Sequence, residues 1–206
     1  MKAARWDALM ATWGFGANRD TFGALVAAYG ERHRRYHTGE HLDACLAQLD
    51  RCAHRADHPH EIELALWFHD AVYRPFASDN EQKSAAWASS FMGANAAPAD
   101  ATARVHALIM ATRHDAPPQT HDESLLIDID LSILGAAPDA YAAFEAAVRQ
   151  EYAFVPGFVF RRKRAELLRR FLQRPSIFRN EPFASELEAR ARENMAAAIA
   201  RLSGRS

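Results

Sequence analysis

Three short segments of this chain place a histidine or an aspartate where an apolar helix is expected. In the first, EIELALWFHDAVY, the apolar residues Ile62 and Leu66 recur at helical spacing, and His69 and Asp70 follow them. A carboxylate in such a helix is costly unless it is paired or bound to a cation. The segment therefore indicates either a metal site or a His–Asp pair satisfied by neighbouring backbone or by an arginine.

The second segment, RYHTGEHLDACLAQL, adds two more histidines to the candidate set. Thr38 can cap a helix, which places His41 in its first turn, on the same side as Leu42 and Cys45. Neutral imidazole binds transition metals well, so His41 is a candidate ligand. His37 then lies in the loop directly before the helix. By itself this histidine pair would indicate little.

The third segment, SLLIDIDLSILG, contains two aspartates in a run of leucine and isoleucine. Either Asp128 or Asp130 could face solvent on an amphipathic helix. Asp130 lies three residues after Ile127 and four before Leu134, so it has the more apolar neighbours. We therefore predict that Asp130 has the greater need of a cation.

Together the segments supply His41, His69, Asp70 and Asp130, which are two neutral nitrogens and two carboxylates from three predicted helices. This mixture suits a divalent Mn, Fe, Co, Ni, Zn or Mg ion, with water in the open positions. One metal accounts for three buried polar sites more simply than three separate local contacts do. The identity of the ion, and whether there are one or two, stay open.

The order of these residues resembles the pattern of the HD superfamily of metal-dependent phosphohydrolases. More closely, a set of segments resembles the small bacterial HD proteins that are described as predicted phosphohydrolases. These segments are YHTGEHL, LWFHDAVY, DNEQKSA, DIDLSILG, the region around Gln150-Glu151-Tyr152, and EARARENM. The resemblance covers most of the chain. It implies an HD-type helical bundle that hydrolyses a phosphate ester of a nucleotide or small metabolite with metal-activated water.

YHTGEHL also resembles the YHN-x-x-HA motif of cyclic-nucleotide phosphodiesterases, a distant HD branch. That resemblance implies that His41 binds metal and that His37 donates a proton to the leaving group. If the site is binuclear, we expect Asp70 to bridge the two metals or to hold the nucleophilic water. This chain continues with Ala-Val-Tyr after Asp70 and lacks the extra histidine that phosphodiesterases place there. Specificity for cyclic nucleotides is therefore not implied.

Four further residues are candidates for contact with a second metal or with phosphate. Binuclear HD enzymes take additional histidines from the stretch between the His-Asp pair and the final aspartate, and His114 lies there, although it could equally be a plain helix-end residue. Glu81 could instead be the acceptor of a capping box that starts at Ser78. Lys83 and Arg149 are among several basic residues that could bind phosphate.

Two other classes of function remain open at this point. Some HD-fold proteins are di-iron oxygenases, which need more histidine ligands than this sequence readily supplies. Alternatively, the domain could bind a metal or nucleotide and regulate a partner without turnover.

The elements that position these residues are predicted to be helices throughout, because helical periodicity recurs along the chain and strand-like alternation is nearly absent. The predicted helices are 4–13, 20–30, 39–55, 60–73, 80–93, 98–112, 123–134, 138–153, 160–173 and 184–202. We expect a single all-α domain over residues 1–206. Its metal-site core would span about 30–135, with the C-terminal helices 138–202 packed on it and pinned by Arg190 and Asn194.

Composition sets the broad class. The 206 residues are 49% hydrophobic with a net charge of −1, which allows a sizeable core and argues against a nucleic-acid or membrane partner bound by bulk charge. No window approaches eighteen apolar residues, so a cytoplasmic protein is expected. Cys45 and Cys52 lie about 10 Å apart along one predicted helix, too far for a disulfide. The expected partner is a small phosphoester or nucleotide, and homodimer formation is left open.

Overall fold

A computed structural model describes residues 1–204 and contains, within that range, ten α-helices and no strand. In chain order, α1 to α10 are Ala3–Trp13, Arg19–Tyr29, Gly39–Cys52, Pro59–Phe68, Asn80–Ala94, Ala99–Ala111, His121–Asp130, Pro138–Glu151, Gly157–Leu172 and Phe183–Leu202. All ten predicted helices are present, and the all-α class is confirmed. No helix in this part of the chain combines the length and apolar character needed to span a bilayer.

The helices belong to two compact units, Met1–Ile127 and the chain from Asp128 onward. The boundary falls within α7, so the first unit holds α1 to α6 and most of α7. The prediction of a single domain with a metal-site core at about 30–135 stays a prediction.

In the first unit, α4 lies at the centre because it is apolar almost all round. Between Ile62 and Phe68, every residue except Glu63 has no exposed surface. The helix packs against α1, α3, α5 and α6. Trp67 of α4 meets Trp6 of α1 edge to face, with ring centroids 5.3 Å apart. Trp6 also contacts Phe91 of α5. This aromatic cluster fixes the helix that leads to His69 and Asp70.

Charged groups hold the beginning of α4. The Asp122 carboxylate accepts hydrogen bonds from the backbone N–H groups of Asp57 and His58, both at 2.8 Å. Glu61 is buried and accepts two hydrogen bonds from the Arg104 guanidinium of α6, at 2.7 and 2.8 Å. Both buried carboxylates, Asp122 and Glu61, thus have hydrogen-bond donors supplied by the fold.

The helix predicted over 60–73 is shorter than expected. α4 ends at Phe68, so His69 and Asp70 lie in the turn that follows it. Backbone groups that a longer helix would use have other partners here. Tyr29 donates to the carbonyl oxygen of Trp67 at 3.3 Å, and the Val72 N–H donates to the Ser84 hydroxyl oxygen at 3.0 Å. Arg34 donates to the carbonyl oxygens of Asp70 and Ala71 in the turn itself.

Other boundaries also differ from the sequence prediction. The segments predicted as 39–55 and 123–134 each end in a 3₁₀ turn, at Ala53–Arg55 and Leu131–Gly135. The capping box predicted from Ser78 to Glu81 is wrong, because α5 begins at Asn80 and its N-cap Asp79 makes no side-chain cap hydrogen bond. Asp79 instead pairs with Lys83 at 2.8 Å.

In the second unit, α10 is fastened to the turn that follows α7. The Asn194 side-chain amide donates to the carbonyl oxygens of Leu134 and Ala136, both at 2.9 Å, and Arg190 donates to that of Gly135. A Cβ atom at Gly135 would lie 2.5 Å from Cβ of Leu187, so this close approach requires glycine. Arg190 and Asn194 therefore hold the final helix, as the sequence predicted.

Candidate metal centre

His41 enters the site from the first turn of α3. The Thr38 hydroxyl accepts a hydrogen bond from the Glu40 backbone N–H at 3.3 Å, so Thr38 caps this helix as predicted. The His41 side chain is 3% exposed. A buried imidazole at the start of a capped helix has a fixed direction, and its Nε2 atom points at His69.

The tautomer of His69 follows from its hydrogen bond to the backbone. Its Nδ1 atom lies 2.8 Å from the Leu66 carbonyl oxygen, which can only accept, so Nδ1 carries the proton in the neutral ring. The Nε2 atom then presents a lone pair, 3.2 Å from Nε2 of His41. A ring that donates one N–H to a carbonyl while its other nitrogen faces the site is the usual arrangement of a metal-binding histidine.

Asp70 completes a triangle of donor atoms with the two histidines. Its Oδ2 atom lies 3.2 Å from His69 Nε2 and 3.7 Å from His41 Nε2. Given these separations and the 3.2 Å between the nitrogens, a circle through the three atoms has a radius of about 2.0 Å. Nitrogen and oxygen ligands bind zinc at about 2.0–2.2 Å, so the three donors fit a single ion.

The charge of Asp70 is consistent with this role. Burial by itself would raise the pKa of its carboxyl group, but the imidazoles of His69, His37 and His41 outweigh burial and hold that pKa well below its usual range. The carboxylate is therefore ionised and faces groups that bear or can accept positive charge. A bound cation would occupy the same favourable position.

Cys45 was not recognised from the sequence as part of this cluster. His41, Cys45 and His69 are all buried, and each offers a ligand atom within 4.8 Å of the others, so the group could hold a metal ion. The Cys45 sulfur, however, lies 3.7 Å from both ring nitrogens of His41. It therefore sits beside the middle of the ring, whereas an ion on Nε2 would lie beyond that atom. The spacing of four residues from His41 was the available signal.

His37 lies next to the cluster without belonging to the donor triangle. Its ring stacks on Tyr73, with centroids 4.1 Å apart and planes at 22°, and its centroid is 6.2 Å from that of His41. The side chain is half-buried. Stacking on Tyr73 covers a face of the imidazole, whereas the two nitrogens lie at the edge of the ring. Its role as proton donor stays a prediction.

Arg34 is the principal residue that sequence analysis missed. Its side chain is fully buried, and it donates to the backbone carbonyl oxygens of His37 at 3.1 Å and Asp70 at 2.6 Å. One guanidinium thus joins the loop before α3 to the turn after α4. The RHRRYH stretch contains three arginines, and nothing in the sequence distinguishes the buried one.

The two aspartates at the end of α7 differ from each other in surroundings. Asp128 is 1% exposed, and its carboxylate accepts hydrogen bonds from the backbone N–H groups of Arg179 and Asn180. Asp130, the last residue of α7, is half-buried. Asp128 is the more deeply buried of the two, but its carboxylate is satisfied by backbone donors, so its need for a cation is met. The role of Asp130 as a ligand stays a prediction.

The four candidates for a second metal or phosphate have varied settings. His114 follows α6 with a left-handed φ of 55°, and Glu81 lies half-buried in the first turn of α5. Lys83 is half exposed and pairs with Asp79. Arg149 donates to the carbonyl oxygens of Tyr152 and Val155 and so closes the turn after α8. Phosphate or metal contact by these residues stays a prediction.

The fold and the donor triangle define this chain as an all-α protein with a buried histidine–aspartate cluster suited to a divalent cation. No family model, curated protein or solved structure matches the chain. Any function must therefore be inferred from the residues of this chain.

Proposed function

We propose that this protein is a metal-dependent phosphohydrolase of the HD type. The observation that supports it is the convergence of His41 Nε2, His69 Nε2 and Asp70 Oδ2 within 3.7 Å of one another, on residues whose order resembles the HD pattern. Asp130 is proposed as the fourth ligand on the basis of the sequence. The proposed substrate class, a nucleotide or another small phosphate ester, rests on the resemblance.

The chain's own residues can orient the water and protonate the leaving group in such a hydrolysis. When bound, a divalent cation acidifies water and stabilises negative charge on phosphoryl oxygens. Asp70, held ionised by its imidazole neighbours, can accept a hydrogen bond from the attacking water and orient it. As the new bond from water oxygen to phosphorus forms, the ester bond to the alcohol oxygen breaks and the water releases a proton to solvent. His37 then gives a proton to the departing alkoxide.

The position of His37 suits that role. Its ring is held by stacking on Tyr73, and it is near enough to Asp70 to lower the pKa of that carboxyl group. Imidazole titrates near neutrality, so it can donate a proton under physiological conditions. An alkoxide is a poor leaving group without a proton, so a proton donor at this position would speed the departure of the alcohol.

A metal analysis followed by a substrate panel tests this function. The purified protein would be stripped of metal, loaded in turn with Mn²⁺, Fe²⁺, Co²⁺, Ni²⁺, Zn²⁺ or Mg²⁺, and assayed against nucleotides and small phosphomonoesters. We expect release of inorganic phosphate or nucleoside phosphate with at least one metal. Asp70→Ala, purified in the same way, is the control for contaminating phosphatases.

The same panel separates the alternative functions. Metal or nucleotide binding with no turnover in any arm would favour a regulatory protein. Two irons held by four or more histidines would favour a di-iron oxygenase, whereas the donor triangle contains two histidines, His41 and His69.

A further inference from the structure

Arg34 uses every N–H group of its guanidinium within the first unit. Nε and Nη2 donate to Glu31, Nη1 donates to the carbonyl oxygens of His37 and Asp70, and Nη2 also donates to that of Ala71. The side chain has no exposed surface. A guanidinium has five N–H donors, so this pattern leaves none for a substrate phosphate. Arg34 is therefore built into the protein as a connector.

The same guanidinium lies over two tyrosine rings. Its central carbon is 5.3 Å from the centroid of Tyr29 and 5.5 Å from that of Tyr73. Tyr73 is also the ring on which His37 stacks. Arg34 thus reaches His37 in two ways, directly through the His37 carbonyl oxygen and indirectly through Tyr73.

We propose that Arg34 is a positioning residue that sets where the His37 imidazole stands relative to Asp70. The inference rests on the proposed function for its catalytic meaning, but the positioning itself is a structural claim. A planar fork can hold the carbonyl oxygens of His37, Asp70 and Ala71 at once and in fixed directions. An ammonium group has three donors on a flexible stem, so lysine cannot reproduce this arrangement.

The test variant is Arg34→Lys, which keeps the positive charge opposite Glu31 but loses the fork. The matched control is Arg104→Lys. Arg104 also makes a two-pronged contact with a glutamate, Glu61, in the same unit, but it holds the start of α4 and not the turn after it. The two variants therefore each remove an arginine fork, at different ends of α4, although Arg104 is 40% exposed and Arg34 is fully buried. Circular dichroism would establish that both remain helical.

The first readout does not depend on activity. A ring stacked 4.1 Å from Tyr73 experiences a ring-current shift, so the proton resonances of the His37 imidazole report its position. We expect Arg34→Lys to move these resonances toward those of a free histidine, while Arg104→Lys leaves them in place. Unchanged His37 resonances in a folded Arg34→Lys protein would overturn the proposal, whether or not the wild type hydrolyses phosphate esters. Equal movement in both variants would overturn it as well.

The second readout is a double-mutant cycle on turnover of an alkyl phosphate. Arg34→Lys should lower kcat by at least about tenfold, as part of the 10²–10⁴-fold that a general acid supplies. In a His37→Ala background the same change should cost less than about twofold further, because residues that act through one another are not additive. A full tenfold loss in both backgrounds, or a loss traced to weaker metal binding, would mean that Arg34 does not act through His37.

Failure of the proposed function gives a different result. If no phosphate ester is hydrolysed by the wild type with any metal, the cycle has no signal and the phosphohydrolase assignment fails. The His37 resonances would still decide the role of Arg34.

Discussion

Two aspartates of this chain, Asp70 and Asp128, meet the same problem in different ways. Both follow apolar runs, and both carboxylates are largely removed from solvent. Asp128 accepts hydrogen bonds from three donors, which are the backbone N–H groups of Arg179 and Asn180 and the Asn180 side-chain amide. Asp70 instead directs Oδ2 at the Nε2 atoms of two histidines. The first aspartate is satisfied by the fold, and the second faces groups that can share a ligand.

The pKa values of the two carboxyl groups are shifted in opposite directions. Burial raises the pKa of Asp128 to about 6, because its hydrogen-bond donors offset the loss of solvation only in part. Around Asp70, three imidazoles outweigh burial and lower the pKa. Burial of a carboxylate is therefore not in itself a sign of a functional site. The groups that a buried carboxylate faces decide its role.

Removal of the Asp70 carboxylate should have the largest effect on metal binding. Asp70→Ala should lower metal affinity by at least about 100-fold, since groups that merely orient a ligand are worth 10–100-fold. The fold should persist, because a core of this size does not depend on an ion. Elemental analysis and circular dichroism would measure the two properties. Retention of a full equivalent of metal would remove Asp70 from the site.

Loss of His37 should affect turnover but not metal binding. His37→Ala should retain the metal and lose about 10²–10⁴-fold in kcat on alkyl phosphates. A p-nitrophenyl ester should be affected much less, because p-nitrophenolate leaves without a proton. The measurement is kcat for both substrates together with the metal content. Equal losses on the two leaving groups, or loss of the metal itself, would contradict the role of general acid.

Asp128→Ala should give the opposite pattern to Asp70→Ala. The change leaves the buried N–H groups of Arg179 and Asn180 without their acceptor, which should cost about 2–4 kcal/mol in the free energy of unfolding. Metal content of the folded protein should not change. Urea denaturation of both aspartate variants, followed by metal analysis, would check this. A variant that keeps its stability but loses metal would show that the two aspartates have been assigned the wrong roles.

The smallest effect is expected at Cys45. Its sulfur lies beside the His41 ring and not beyond Nε2, so Cys45→Ser should change metal affinity by less than about tenfold, well below the loss at a ligand. A Co²⁺-loaded wild type should likewise show no sulfur-to-cobalt charge-transfer band in the near ultraviolet. Such a band, absent in Cys45→Ser, would make the thiolate a ligand.

Much of the fold and part of the site could be predicted from the sequence. The ten helices followed from periodicity, and His41, His69 and Asp70 were found because each is a polar residue at an apolar position. The end of α4 could not be predicted, because the partners that take its backbone groups, Tyr29 and Ser84, come from elsewhere in the chain. For the same reason, the hydrogen bonds to Asp128 could not be predicted, because their donors lie about fifty residues further along the chain. Local pattern identifies which residues need a partner, and the tertiary structure decides which partner they receive.

Anomalous diffraction from crystals grown with Mn²⁺, Zn²⁺ or Co²⁺ would show whether His41, His69 and Asp70 hold a metal ion. We expect an anomalous peak within about 2.0–2.3 Å of His41 Nε2, His69 Nε2 and Asp70 Oδ2 together. We further propose an oxygen of Asp130 in the same coordination sphere. A fully occupied ion held by other residues, or crystals with no ion between His41 and His69 at saturating metal, would contradict this assignment.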